Sequence, residues 1–231
     1  MGFAASAGGT LDEAKALLGL GTVYRALGRS ADAGAAYRAA AARFRRVRNH
    51  HGEAMSLANL ANLELYDGNI DEALRVFPGV IDRFRSLGAE RSAANSLTNY
   101  GTALARAQRL DEAVPVLQEA SALGERVWAV AYGNAECSLA RIHAERGRFA
   151  EAHAAIARSL AALAGTDRGK WLCSLYLRSA LHSLSGSPED ARADFDEAEA
   201  RWATSGLGEA KEVTTVRAAV LADPARALFL R

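Results

Sequence analysis

The 231 residues are half hydrophobic and 24% charged, with 28 Lys and Arg against 27 Asp and Glu, a balance that gives no bulk attraction for nucleic acid or a membrane surface. No apolar run nears the roughly 20 residues of a membrane span, and the start Met1-Gly-Phe-Ala-Ala lacks the basic and apolar stretches of a secretion signal, so a cytoplasmic location is expected. Two cysteines, Cys137 and Cys173, are too few for a disulfide framework, and only four prolines interrupt a chain rich in alanine, leucine and arginine, so helix is favoured throughout.

In chain order, Thr10 with Glu13 reads as a capping box that opens the first helix. The first hairpin, about 11–48, breaks at Gly28 and ends in the basic cluster Arg43, Arg45, Arg46, Arg48, His50 and His51, a solvated helix C-terminus. The second, 51–88, carries Leu57, Leu60, Ala61 and Leu65 at helical spacing, stops at Asp67-Gly68-Asn69 and restarts at Ile70. Hairpins follow at 90–125 around Gln108, 128–164 around Gly147 and 168–204 around Gly186. Gly165 to Lys170 lacks the spacing and the hydroxyl residue of a phosphate loop and reads as a link between hairpins. The acidic run Asp190, Asp194, Asp196, Glu197 and Glu199 reads as an outer helix face. Residues 209–231 form a cap, with Ala210, Val213, Val216 and Val220 on one stripe and a stop and restart at Asp223-Pro224. Ala227 to Arg231 is short and apolar, suited to packing on the cap or to meeting another subunit.

One spacing unites these elements. The turn positions 28, 68, 108, 147 and 186 lie 40, 40, 39 and 39 residues apart, and each is followed five residues on by alanine: Ala33, Ala73, Ala113, Ala152 and Ala191. Seven residues before each turn stands another small residue, Gly21, Ala61, Gly101, Ala140 or Ser179, so that the two helices approach closely. A larger apolar plug lies four residues after each alanine: Tyr37, Phe77, Leu117, Ile156 or Phe195. A fixed period marks a repeat array whose neighbours supply each other's core. The pattern resembles the tetratricopeptide repeat over about Leu11 to Trp202, in the longer variant of kinesin light chains and bacterial signalling regulators. That resemblance implies an all-α, right-handed α-solenoid of five helix-turn-helix repeats with a C-terminal capping helix, as a single domain over 1–231. Two positions depart from the pattern: Gln108 replaces a turn glycine, and Glu136 stands where the other repeats carry Leu17, Leu57, Leu97 and Leu175.

At 100° per residue the side of each first helix opposite the core carries Met55, Asn59, Asn62 and Tyr66, then Asn95, Asn99, Thr102 and Arg106, then Asn134, Ser138, Arg141 and Glu145. Five of the seven asparagines therefore share one face, although asparagine is a poor helix former. An amide both donates and accepts, which suits it to the main chain of an extended peptide. The expected partner-binding residues are Asn59, Asn62, Tyr66, Asn95, Asn99, Arg106, Asn134 and Arg141. The opposing reading has the amides bonded to one another between adjacent helices. In the related family, chaperone-binding members grip a C-terminal carboxylate with two asparagines and several cations. Asn62 and Asn99 match the asparagines, but Ala58, Asn134 and Ser138 stand in the cations' places, so that clamp is incomplete.

In the fifth hairpin the same face turns apolar, with Cys173, Leu177, Ala180 and Leu184, either an anchor for a hydrophobic side chain or a surface for the C-terminal segment. His143 and His182, each four residues before a turn glycine, read as polar-tipped core rings. No catalytic nucleophile with a base, no metal site and no cofactor is expected. The chain reads as a non-catalytic interaction module for a protein or peptide, with no nucleic acid or membrane partner. Two alternatives stand beside it: a scaffold that self-associates through terminal repeats by Leu177, Leu184 and Phe229, and the sensory part of a larger bacterial regulator.

Overall fold

The computed structural model describes residues 2–207 and 210–228. Its helices are α1 (Gly2–Ala26), α2 (Ser30–Arg46), α3 (His50–Tyr66), α4 (Ile70–Ser86), α5 (Glu90–Arg106), α6 (Leu110–Val127), α7 (Ala129–Glu145), α8 (Phe149–Leu163), α9 (Arg168–Leu184), α10 (Pro188–Ala203), α11 (Lys211–Ala222) and α12 (Pro224–Leu228). They form two compact units, Met1–Ala103 and Leu104–Arg231. In the first, α1 packs on α2, α2 on α3 and α3 on α4, and α1 also touches α3. In the second, α6 packs on α7, α7 on α8, α8 on α9 and α9 on α10, α11 and α12 lie on α9, and α12 also touches α7.

The hairpins are closed by one repeated hydrogen-bond pattern. The residue after each turn position donates its main-chain N–H to a carbonyl five residues back: Arg29 to Tyr24, Asn69 to Glu64, Arg109 to Leu104, Arg148 to His143 and Ser187 to His182, at 2.8–2.9 Å. This satisfies carbonyls orphaned at the helix end, and it requires a left-handed residue at the turn. Gly68 adopts it at φ 88°, and Gln108 does so at φ 60° with a Cβ in place. Gln108 takes this conformation against its own preference, and the Arg109 to Leu104 bond closes the turn as in the other hairpins.

Each predicted small residue is buried where it was expected. Ala33, Ala73, Ala113 and Ala152 are 0% exposed, and the plugs Tyr37, Phe77, Leu117 and Ile156 are at most 1% exposed. The approach is tight: a Cβ on Gly21 would fall 2.5 Å from the Tyr37 ring. Burial of plugs of this size contributes about 1.5–3 kcal/mol each. Phe195 is half-buried and meets Tyr176 edge-on, with ring centroids 5.5 Å apart.

The expected capping box is not the start of α1. That helix begins at Gly2, so Thr10 lies within it, because Ala4, Ala5 and Ala7 favour helix enough to carry it through Gly8 and Gly9. At the other end Asp223 caps α12 as expected, its carboxylate accepting from the Ala225 N–H at 2.9 Å. Val213 and Val220 of α11 are buried. Glu209 and Phe229 lie outside the described residues.

Candidate functional site

On α3 the residues Met55, Asn59, Asn62 and Tyr66 fall at spacings of four, three and four, one stripe of the helix. Met55 and Tyr66 are exposed, Tyr66 by 68%, while Asn59 and Asn62 between them are half-buried. Asn95 and Asn99 of α5 are also half-buried. Two asparagines elsewhere have structural bonds: Asn49 caps α3 by accepting from the Gly52 N–H at 2.8 Å, and Asn69 donates to Glu64 at 2.8 Å. By contrast, among the described residues the amides of Asn59, Asn62, Asn95, Asn99 and Asn134 take no protein hydrogen-bond partner. The Asn62 Oδ1 atom is also shielded from solvent, an acceptor costly to leave unmet. The amides therefore do not bond to one another.

In the second unit, Asn134 is half-buried on α7 and Ser138 is buried on the same stripe. Arg141, expected on an open face, is instead covered. Its Nε donates to the main-chain carbonyl of Leu228 in α12 at 2.9 Å. Burial, ahead of every charge nearby, holds its guanidinium below the ordinary value, with Cys137, Cys173 and Arg106 among its neighbours. Arg106 itself is half-buried. The apolar face of α9 is closed as well, with Cys173, Leu177 and Ala180 at most 7% exposed. Of the two uses considered for that face, cover by the chain's own C-terminal segment is the one observed, and Leu177 is withdrawn from any contact between copies.

Several polar residues take positions that helix periodicity did not indicate. The acidic run on α10 is not all outward. Asp194 is 8% exposed and accepts from Arg178 at 3.0 and 2.6 Å, while Glu199 accepts from the Tyr176 hydroxyl at 2.6 Å and from Arg217 of α11 at 2.7 and 2.8 Å. Arg217 holds the Glu199 carboxyl below its usual range, and burial with Glu199 pushes the Tyr176 phenol up. Glu136 is 4% exposed, yet one oxygen accepts from Ser121 of α6 at 2.6 Å and the other from Arg158 of α8 at 2.8 Å. The leucine site has become a polar clasp between three helices. His153, which sequence reasoning passed over, lies 4.4 Å ring to ring from His182 and 3.1 Å from the Ser185 hydroxyl. Only folding joins α8 to α9 at that point.

The basic cluster is partly paired: Arg43 meets Glu13 at 3.0 Å and Arg45 meets Glu53 at 2.7 Å. Of the stretch 165–170, expected as a link, only 165–167 joins the hairpins; 168–170 form the first turn of α9, which Asp167 caps by accepting from the Lys170 N–H at 3.0 Å. A hollow of about 650 Å³ lined by Arg38, Glu64 and Asp71 lies at the α3–α4 turn. Among the described residues, no group of three or more His, Cys, Asp and Glu is placed to hold a metal ion, and no helix is long and apolar enough to cross a membrane.

The tetratricopeptide repeat pattern matches residues 12–86 and 56–126. No curated protein matches the chain. Among solved structures, BtubC from P. vanneervenii is similar at 19% identity and a TM-score of 0.68, over 87% of this chain and 91% of that one. NprR in complex with its cognate peptide NprX matches at 14% identity and a TM-score of 0.68, over 89% of this chain and 58% of that one. A Rap protein complexed with Competence and Sporulation Factor matches at 14% identity and a TM-score of 0.74, over 92% of this chain and 66% of that one. At these identities the likeness is one of fold, an all-α solenoid of helix-turn-helix repeats.

Proposed function

We propose that this chain, which belongs to the tetratricopeptide repeat family, is a non-catalytic interaction module that holds an extended protein segment on the asparagine-bearing faces of its first helices. The observation that carries the reading is the state of the amides. Asn59, Asn62, Asn95 and Asn99 in the first unit are half-buried and take no protein hydrogen-bond partner among the described residues. The shielded Oδ1 of Asn62 is an acceptor suited to a main-chain N–H of a guest. Exposed Met55 and Tyr66 flank these amides and offer apolar contact to the guest's side chains. In the second unit Asn134 is likewise half-buried on α7, while Arg141 on that helix is bonded to the Leu228 carbonyl of the chain's own C-terminal segment. NprR, solved with its cognate peptide, lends support through a shared fold.

Replacing Asn62 and Asn99 together by alanine tests the reading. Capture of partners from native cell extract is lost in the double variant, while the melting temperature stays within about 2 °C, since no internal bond is removed. Unchanged capture, or a large fall in melting temperature, refutes it. Self-association is the second reading, favoured by Leu20 and Val23 of α1 and Leu27 in the turn after it, exposed by 46%, 55% and 66%. Light scattering across a dilution series decides it, and a constant monomer mass removes it.

A further inference from the structure

α9 is buried on opposite sides. Leu175 and Ser179 face its hairpin, where the Ser179 hydroxyl donates to the Ala191 carbonyl at 2.6 Å. Cys173, Leu177 and Ala180 lie half a turn away and are buried, with Cys173 beside Arg141 of α7, and both α11 and α12 pack on α9. Ala227 and Leu228 of α12 are buried there, at 6% and 2% exposure. The polar anchor is the Arg141 bond to the Leu228 carbonyl, made across 87 residues of sequence.

This cover is weakly held for its position. A five-residue helix has no stability of its own, and α12 is joined to α11 through the single extended residue Asp223 at φ −163° and ψ 105°. Among the described residues, the guanidinium of Arg141 donates to one acceptor, the neutral main-chain oxygen of Leu228. No carboxylate among the described residues lies within ion-pair distance of it. A shielded cation bonded to a main-chain carbonyl beside an apolar wall has the chemistry to recognise chain segments.

We infer that the trough between α7 and α9 is a binding site for a short apolar segment recognised through a main-chain carbonyl at Arg141, and that Pro224–Leu228 is the chain's own displaceable occupant of it. This rests on the reading of the first-helix faces as surfaces for extended segments, and it adds a form of regulation. An external segment of the same chemistry binds the second unit only by evicting α12, so the tail sets the apparent affinity.

The test uses the full chain and a fluorescein-labelled peptide of residues 223–231, acetylated and amidated so that it offers main-chain carbonyls without terminal charges. In the variant Ala227→Lys a second cation is brought beside Arg141 and the tail is expelled. Fluorescence anisotropy then gives binding at least about tenfold tighter than to wild type, and adding Arg141→Gln removes that gain. Equal binding to wild type and Ala227→Lys, or none to either up to about 1 mM with helicity intact, overturns the inference. Hydrogen exchange on the unmodified chain is the second readout, should the variant not fold. Amides of α12 exchange ahead of those of α9 if the tail leaves locally, whereas exchange in concert with α9 makes α12 an integral part of the fold and overturns the proposal. The Asn62 and Asn99 capture experiment reports on the first unit, so either reading can fail alone.

Discussion

Gly124→Ala sets a gain in helix preference against a collision with main chain. A Cβ built on Gly124 of α6 falls 2.6 Å from the Tyr132 nitrogen, 2.9 Å from its Cα and 3.1 Å from the Ala131 carbonyl carbon of α7. Alanine is favoured over glycine inside a helix by about 0.8–1.0 kcal/mol. Against that, overpacking a close contact costs about 1–3 kcal/mol, and the upper end applies because the atoms struck are backbone and have no rotamer to change. Relief requires α7 to retreat, which also loosens Ala131 and Ala135, both 0% exposed. The net expectation is a loss of about 1–2 kcal/mol, or about 2–8 °C in melting temperature. Gly79→Ala is the control, since nothing lies within 4 Å of its Cβ in the interior of α4 and the propensity gain stands alone. Thermal unfolding by circular dichroism should move the two variants in opposite directions. A stabilised Gly124→Ala would refute the argument that helix approach, rather than helix preference, governs this position.

Gln108→Gly relieves a left-handed side-chain residue and should stabilise by about 0.5–1 kcal/mol, partly offset by glycine's greater unfolded freedom; chemical denaturation at constant m-value checks it. Arg158→Ala leaves the buried Glu136 carboxylate with Ser121 alone and should destabilise by about 1–3 kcal/mol, discounted because Arg158 is half exposed, whereas Arg158→Ala combined with Glu136→Leu recovers most of the loss. Burial holds His143 and His153 below the ordinary imidazole value, so the unfolded chain binds more protons than the folded one as pH falls through about 6.5. Stability is full above that point and declines towards the lowered folded values. Melting temperatures taken from pH 7.5 to 5.5 should fall in wild type and flatten in His143→Gln with His153→Gln. The Glu199 contribution is lost only at more acid pH, below its ordinary value of 4.5, because Arg217 keeps that carboxyl ionised.

The hairpins were legible because their causes are local. Gly68 ends one helix and Ala73 opens contact in the next within a few residues, and the 39–40 residue period repeats that message five times. The asparagine stripe was legible for the same reason, since helix geometry alone places Asn59 beside Asn62. What covers a face was not. Asp194 and Glu199 read as solvated until Arg178, Tyr176 and Arg217 came to them from other helices, and Glu136 read as a lapse in a leucine pattern until Ser121 and Arg158 closed on it.

Letters 87 apart carry no sign that Arg141 will meet Leu228, since that contact is made by chain return rather than by periodicity. Local spacing alone thus determined the repeat, its turns and the stripe on which polar groups could gather. Tertiary structure decided which of those groups remain without a partner, because burial and hydrogen bonding depend on whatever packs above a helix, and the helix's own sequence does not encode its cover.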